Sequence, residues 1–126
     1  LDGFLDTAIL IDIYRGYQPA QQWLQNNQNK TYALSPIVRL EAMEGSQNKQ
    51  QLTKIKKLLD SFPIATYQNH DLLWAMQQLE TYHLSHNVGM MDCLIAAPSY
   101  SQQLPLLTRN LKHFKPLLNN LAQRPY

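Results

Sequence analysis

Apolar positions fall into short continuous runs separated by longer, helically spaced stretches. Gly3-Phe4-Leu5-Asp6 reads as a short buried strand closed by an acid. After it, Ile9, Leu10, Ile13 and Tyr14 recur at helical spacing, with Gly16 as a stop signal. Pro19 opens the next helix at its first position, within an amide-rich stretch from Gln18 to Asn29 centred on Trp23 and Leu24. Tyr32-Ala33-Leu34 is a second strand. Ser35 then caps a helix that Pro36 begins and that runs through Glu41 to about Gly45. Gln50 to Leu59 is helical, with Leu52, Ile55, Leu58 and Leu59 on one face. Pro63 to Thr66 reads as a third strand, Asp71 to about Leu84 and Met90 to about Gln103 as helices, and Pro105-Leu106-Leu107-Thr108 as a fourth strand. Leu111 to Leu118 forms a final helix or turn. Short strands alternating with helices predict a parallel sheet flanked by helices. Neither a linker nor a repeat divides the chain, so residues 1–126 read as one domain.

Composition changes this picture little. The apolar fraction of 44% can supply an ordinary core. No run of roughly 18 apolar residues is present, so a membrane span is not expected. A single cysteine, Cys93, fits a reducing, cytoplasmic setting. Charge is more informative. Only 16% of residues are charged, and the net charge of +2 does not by itself argue for nucleic acid. Its distribution is uneven, however. Lys49, Lys54, Lys56 and Lys57 lie in a stretch without acids, and from Thr81 to Tyr126 the one acid is Asp92. The lysine run reads equally as a solvated helix face or as a surface for phosphates.

In open parallel sheets, ligands gather beyond the carboxyl ends of the strands. Asp6 ends the first strand, Glu41 lies on the helix after the second, Asp92 starts the helix before the fourth, and Asn110 follows the fourth. Each has a plain structural role available, as a helix cap, a solvated side chain or a partner for a helix dipole. Together they suggest more. Asp6 follows Phe4-Leu5 and Asp92 precedes Leu94-Ile95-Ala96-Ala97, and acids so close to buried segments need partners. Few basic residues stand near them in sequence. A hard divalent cation, Mg²⁺ or Mn²⁺, would serve. Glu44, three residues after Glu41, is on nearly the same helix face and is a candidate auxiliary ligand. His83 and His86 lack a third ligand for zinc. Ala8 stands where a haloacid-dehalogenase phosphatase needs its second Asp, which sets that chemistry aside.

Four segments resemble the motifs of the PIN-domain nucleases, in order and across nearly the whole chain. These are Phe4-Leu5-Asp6-Thr7-Ala8-Ile9-Leu10-Ile11-Asp12, Ser35-Pro36-Ile37-Val38-Arg39-Leu40-Glu41, Gly89-Met90-Met91-Asp92-Cys93-Leu94-Ile95-Ala96-Ala97 and Leu106-Leu107-Thr108-Arg109-Asn110-Leu111-Lys112-His113-Phe114. Their compact form is similar to the VapC-like toxins of toxin–antitoxin pairs. The resemblance implies a three-layer α/β/α fold with a short parallel sheet of four to five strands. It implies a metal-dependent endoribonuclease, commonly a homodimer, held inactive by an antitoxin protein. Asp6, Glu41 and Asp92 would bind Mg²⁺ or Mn²⁺, Asn110 with Thr108 would complete the site, and Thr7 would assist. Arg109 and Lys112 would guide RNA phosphates. The chain departs from the pattern at Ala8, at the neutral Asn110 and at Pro98, which interrupts the helix after Asp92. A catalytically silent module that binds RNA or protein is the rival reading, supported by Pro98 and Asn110.

Overall fold

A computed structural model describes residues 1–126. Its sheet contains β1 (Gly3–Leu5), β2 (Tyr32–Ala33), β3 (Leu106–Leu107) and β4 (Ala122–Gln123). All pairings are parallel, in the order β2-β1-β3-β4. Phe4 sits opposite Ala33 on one side and Leu106 on the other. β1 is therefore central and buried along its length, as its unbroken apolar run requires. Gly3 is needed here. A Cβ at that position would come 2.6 Å from the carbonyl oxygen of Pro105, the atom that accepts the Phe4 N–H at 2.8 Å.

The helices are α1 (Thr7–Tyr14), α2 (Gln18–Asn26), α3 (Pro36–Glu44), α4 (Lys49–Leu59), α5 (Asn69–His86), α6 (Met90–Gln102) and α7 (Leu111–Leu118). They complete a three-layer α/β/α architecture. α1 packs with α2, α3 and α4, while α5, α6 and α7 pack on one another. Local signals fix their ends. The Ser35 hydroxyl accepts the Val38 N–H at 3.2 Å, and Gly16 turns the chain after α1 at φ +75°. No helix is long and apolar enough to cross a membrane.

One strand expectation needs correction, and one strand was not expected. Pro63 to Thr66 contributes one bridge, Leu34 to Ile64, rather than a strand. Pro63 has no N–H for a ladder, and Ile64 is exposed. The actual fourth sheet member, β4, is two residues long and carries no alternation of its own; pairing with β3 defines it. Pro19 also lies one residue inside α2, which Gln18 begins, and α5 extends beyond the predicted range at both ends.

Pro98 is accommodated within α6 without breaking it. Proline removes the N–H that would bond the carbonyl four residues earlier, that of Leu94. The Tyr67 hydroxyl donates to that same carbonyl. Burial pushes Tyr67 up to about 12, so it keeps its proton at any physiological pH. Tyr67→Phe should therefore cost about 1–2 kcal/mol in urea unfolding, because it leaves a carbonyl without a donor. In a Pro98→Ala background, with the backbone N–H restored, the same change should cost less than half as much. Equal losses in both backgrounds would disprove this pairing.

Candidate active site

Parallel strands bring the carboxyl ends of β1 and β3 to the same edge of the sheet, and Asp6 and Thr108 follow directly. Asp6 is buried, and each of its oxygens has a donor. Oδ1 accepts the Thr7 N–H at 2.7 Å, and Oδ2 accepts the fully buried Thr108 hydroxyl at 2.8 Å. The Thr108 oxygen in turn accepts the Asn110 N–H at 2.9 Å, so one hydroxyl links β1, β3 and the start of α7. The Thr7 hydroxyl donates to Glu41 Oε1 at 2.6 Å, joining α1 to α3. Asp92, in the first turn of α6, accepts the Gly89 N–H through Oδ2 at 3.0 Å. Asp6, Thr7, Glu41, Asp92, Arg109 and Asn110 share the wall of one open cavity of about 550 Å³.

The structural and functional readings of these acids therefore coexist. Asp6 and Asp92 serve helix N-termini, yet both face the cavity. Burial is the main cause holding the Asp6 carboxyl above its ordinary 3.8; the donors Thr108 and Thr7 oppose it, and the charges of Glu41 and Asp92 add to it. The donors facing the cavity are hard oxygens, which suits Mg²⁺ or Mn²⁺ rather than zinc. Asp6, Glu41 and Asp92 share this wall, but no three carboxylate, His or Cys side chains stand close enough together to hold one metal ion between them as they are placed here. An open arrangement suits Mg²⁺, which binds through one or two carboxylates and retains waters. Asp6 and Asp92 are the residues able to hold such an ion, with Glu41 directly or through water.

Other expected participants lie elsewhere. Glu44 is exposed and outside the cavity wall, as is Lys112. Glu44 is one turn further along α3 than Glu41, past the end of the cavity. Arg109 lines the cavity, but its charge is already paired: Nη1 lies 2.9 Å from both oxygens of Asp12. The Tyr126 hydroxyl also donates to Asp12, at 2.6 Å. Asn110 occupies the N-cap position of α7 without capping it through its side chain. Its amide instead lies 2.9 Å from His113 Nδ1, which is also 3.3 Å from Asp92 Oδ2. One Nδ1 cannot serve both neighbours alike: protonated, it pairs with Asp92, and unprotonated, it accepts from Asn110.

Asp12, His113 and Tyr126 were not singled out from the sequence. Asp12 did carry a signal, as a lone acid between Ile11 and Ile13 on a buried helix face, which demands a partner. His113 lies three residues after Asn110, on the same face of α7. Cys93 packs in the core, and burial pushes its thiol up to about 11. His83 Nδ1 lies 2.7 Å from the Val88 carbonyl, and His86 pairs with Ser85, so the two do not form a metal site.

The Asp6 shift has a definite consequence for pH. From 3.8 up to the raised folded value, the folded chain keeps a proton that the unfolded chain has lost. Stability should therefore fall as pH rises through that window. Asp92→Asn removes one repelling charge. It should move the Asp6 midpoint down toward 3.8 in a carboxyl-carbon NMR titration, and should flatten the decline measured by urea unfolding. An unmoved midpoint would mean that the two carboxylates do not share a field.

The PIN domain family profile matches residues 3–116. Ribonuclease VapC10 of Mycobacterium tuberculosis is 29% identical over 111 residues, covering 87% of this chain and 84% of that protein. Ribonuclease VapC of Rickettsia bellii is 29% identical over 119 residues, covering 88% and 87%. Among solved structures, a toxin-antitoxin complex from Klebsiella pneumoniae superposes with a TM-score of 0.79 at 25% identity, covering 98% of each chain. VapBC2 from Rickettsia felis, bound to a DNA fragment from its promoter, superposes with a TM-score of 0.75 at 26% identity, covering 90% of each.

Proposed function

The chain belongs to the PIN-domain family, and from that membership we propose that it is the ribonuclease toxin of a toxin–antitoxin pair, cutting RNA phosphodiester bonds with Mg²⁺ or Mn²⁺. The observation that carries this reading is the meeting of Asp6, Glu41 and Asp92 around one cavity at the carboxyl edge of the sheet. Like charges lining one wall raise the Asp6 carboxyl, and a cation entering the cavity would relieve that repulsion.

Asp6 and Asp92 would hold the ion, with Glu41 beside them. Bound there, the ion supplies Lewis acidity, acidifying water and offsetting charge on the phosphate oxygens. Glu41 accepts from Thr7 with one oxygen and keeps the other to orient the attacking water. Thr108 fixes the Asp6 carboxylate so that it does not rotate as substrate arrives. Asn110, anchored through its own N–H, presents its amide to a water or to an oxygen of the scissile phosphate. His113 neighbours both Asp92 and Asn110 and is placed to supply or take a proton at the rim.

Cleavage of RNA should require Mg²⁺ or Mn²⁺, stop in EDTA and return when the metal is restored. Asp6→Asn and Asp92→Asn should each lower kcat/KM by at least about 100-fold, or roughly 3 kcal/mol of barrier. Undiminished cleavage by Asp92→Asn, or full activity in chelator, would overturn the assignment.

The partner reading has its own support. Both solved relatives come from toxin–antitoxin assemblies, which favours a cognate antitoxin protein here. A cytoplasmic setting would fit an RNA substrate and the single buried Cys93. The exposed apolar face of α5 and α6, including Leu72, Met76 and Met90, is suited to a second copy of the chain. Light scattering should therefore give a homodimer, and Met76→Lys should shift it to monomer without loss of fold. A native monomer at tens of micromolar would reject that assembly.

A further inference from the structure

The cations near the site are not equivalent. Arg109 is committed to Asp12, Arg39 and Lys56 are paired with Asp60, and Lys112 lies outside the cavity wall. Arg15 is different. It is exposed, has no carboxylate within ion-pair distance, and lines the same cavity as Asp6, Glu41 and Asp92. Together with Ile11 it also lines a second, adjoining cavity between α1, α3 and the start of α4. That cavity is walled by Tyr14, Ser46, Gln47 and Gln51 among others. Gln51 spends its Oε1 accepting the Gln47 N–H at 3.0 Å, which leaves its amide N–H₂ free to donate. The two cavities share Ile11 and Arg15 in their walls, so an unpaired guanidinium stands between them.

Resting on the ribonuclease reading, we propose that this second cavity is a nucleotide subsite. Arg15 binds the phosphate next to the scissile one, and Tyr14 and the amides of Gln47 and Gln51 receive the attached nucleoside. The chemistry matches the parts of a single-stranded nucleotide. A guanidinium forks onto phosphate oxygens. An exposed tyrosine ring offers a base a stacking face. Primary amides donate and accept at base edges. The unpaired Lys49 and Lys57 of α4 line a separate cavity on the helix's other face, so they add long-range positive potential and no direct contact at this subsite. An apolar protein segment is the less suitable occupant, because Arg15, Ser46, Gln47 and Gln51 make much of this wall polar.

The test measures binding of a pool of single-stranded decaribonucleotides to full-length chains carrying Asp92→Asn, which removes turnover. Added Arg15→Gln should weaken binding at least about tenfold and reduce the slope of log Kd against log salt by about 0.7, the value for one phosphate contact on a single strand. Added Lys112→Gln should leave the slope unchanged. Tyr14→Ala should weaken binding with little change in slope, as loss of stacking rather than charge. In active chains, Arg15→Gln should raise KM on trinucleotides and longer RNAs, while a dinucleotide, which lacks the neighbouring phosphate, should be cut at the native rate. If Arg15→Gln binds RNA like its parent but loses affinity for the co-purified antitoxin, the cavity is a protein groove and the subsite is overturned. If the native chain neither binds nor cuts RNA with Mg²⁺ or Mn²⁺, the ribonuclease reading falls and this one with it.

Discussion

The site depends on keeping three carboxylates together beside a buried sheet edge. Burial is the larger cost for Asp6, and the charges of Glu41 and Asp92 add to it. The protein offsets this mostly with neutral donors. Asp6 is held by a backbone N–H and the Thr108 hydroxyl, Glu41 by the Thr7 hydroxyl, and Asp92 by the Gly89 N–H. Such donors fix orientation without bringing in a cation, and on Asp6 they oppose, but do not cancel, the rise that burial causes.

A neighbouring cation could have neutralised this cluster, and the fold directs the nearest one elsewhere. Arg109 follows Thr108 directly, yet its side chain turns to Asp12 on the far part of α1, where Tyr126 adds a further hydrogen bond. Asp12 therefore protects the negative character of the site indirectly, by engaging the guanidinium that would otherwise compete with a metal. The same arrangement braces β3, α1 and the segment after β4 around the cavity. It also separates two uses of arginine in one wall: Arg109 is structural, while Arg15 remains available to an anion.

The sequence exposes the parts of this design that are local. Asp6 after Phe4-Leu5, Ser35 before Pro36 and Thr108 after Leu106-Leu107 are written in contiguous residues, so strand ends, caps and the candidate acids were readable directly. What could not be read were pairings between remote positions. Arg109 and Asp12 lie 97 positions apart, and Tyr126 and Asp12 lie 114 apart. Without those partners, Arg109 resembles a phosphate guide. β4 has the same character, because two residues show no period and only β3 makes them a strand. Glu44 failed for another reason. Three residues along a helix keep a side chain on nearly the same face but move it about 4.5 Å along the axis, enough to leave a small cavity.

Pro98 bears on whether the departures from the family pattern silence the site. A proline inside a helix disturbs the turn before it, which reaches back to Leu94 and no further. Asp92 lies N-terminal to that carbonyl, and its position is set by Gly89, outside the disturbed turn. Tyr67 occupies the freed carbonyl, so the defect is closed by a side chain rather than by a shift of the helix. The neutral Asn110 has a similar consequence. It lowers the negative charge of the cavity without removing an oxygen donor, and its backbone N–H still anchors Thr108, which positions Asp6. Both departures leave the geometry of the three carboxylates intact, so neither supplies a physical cause for inactivity.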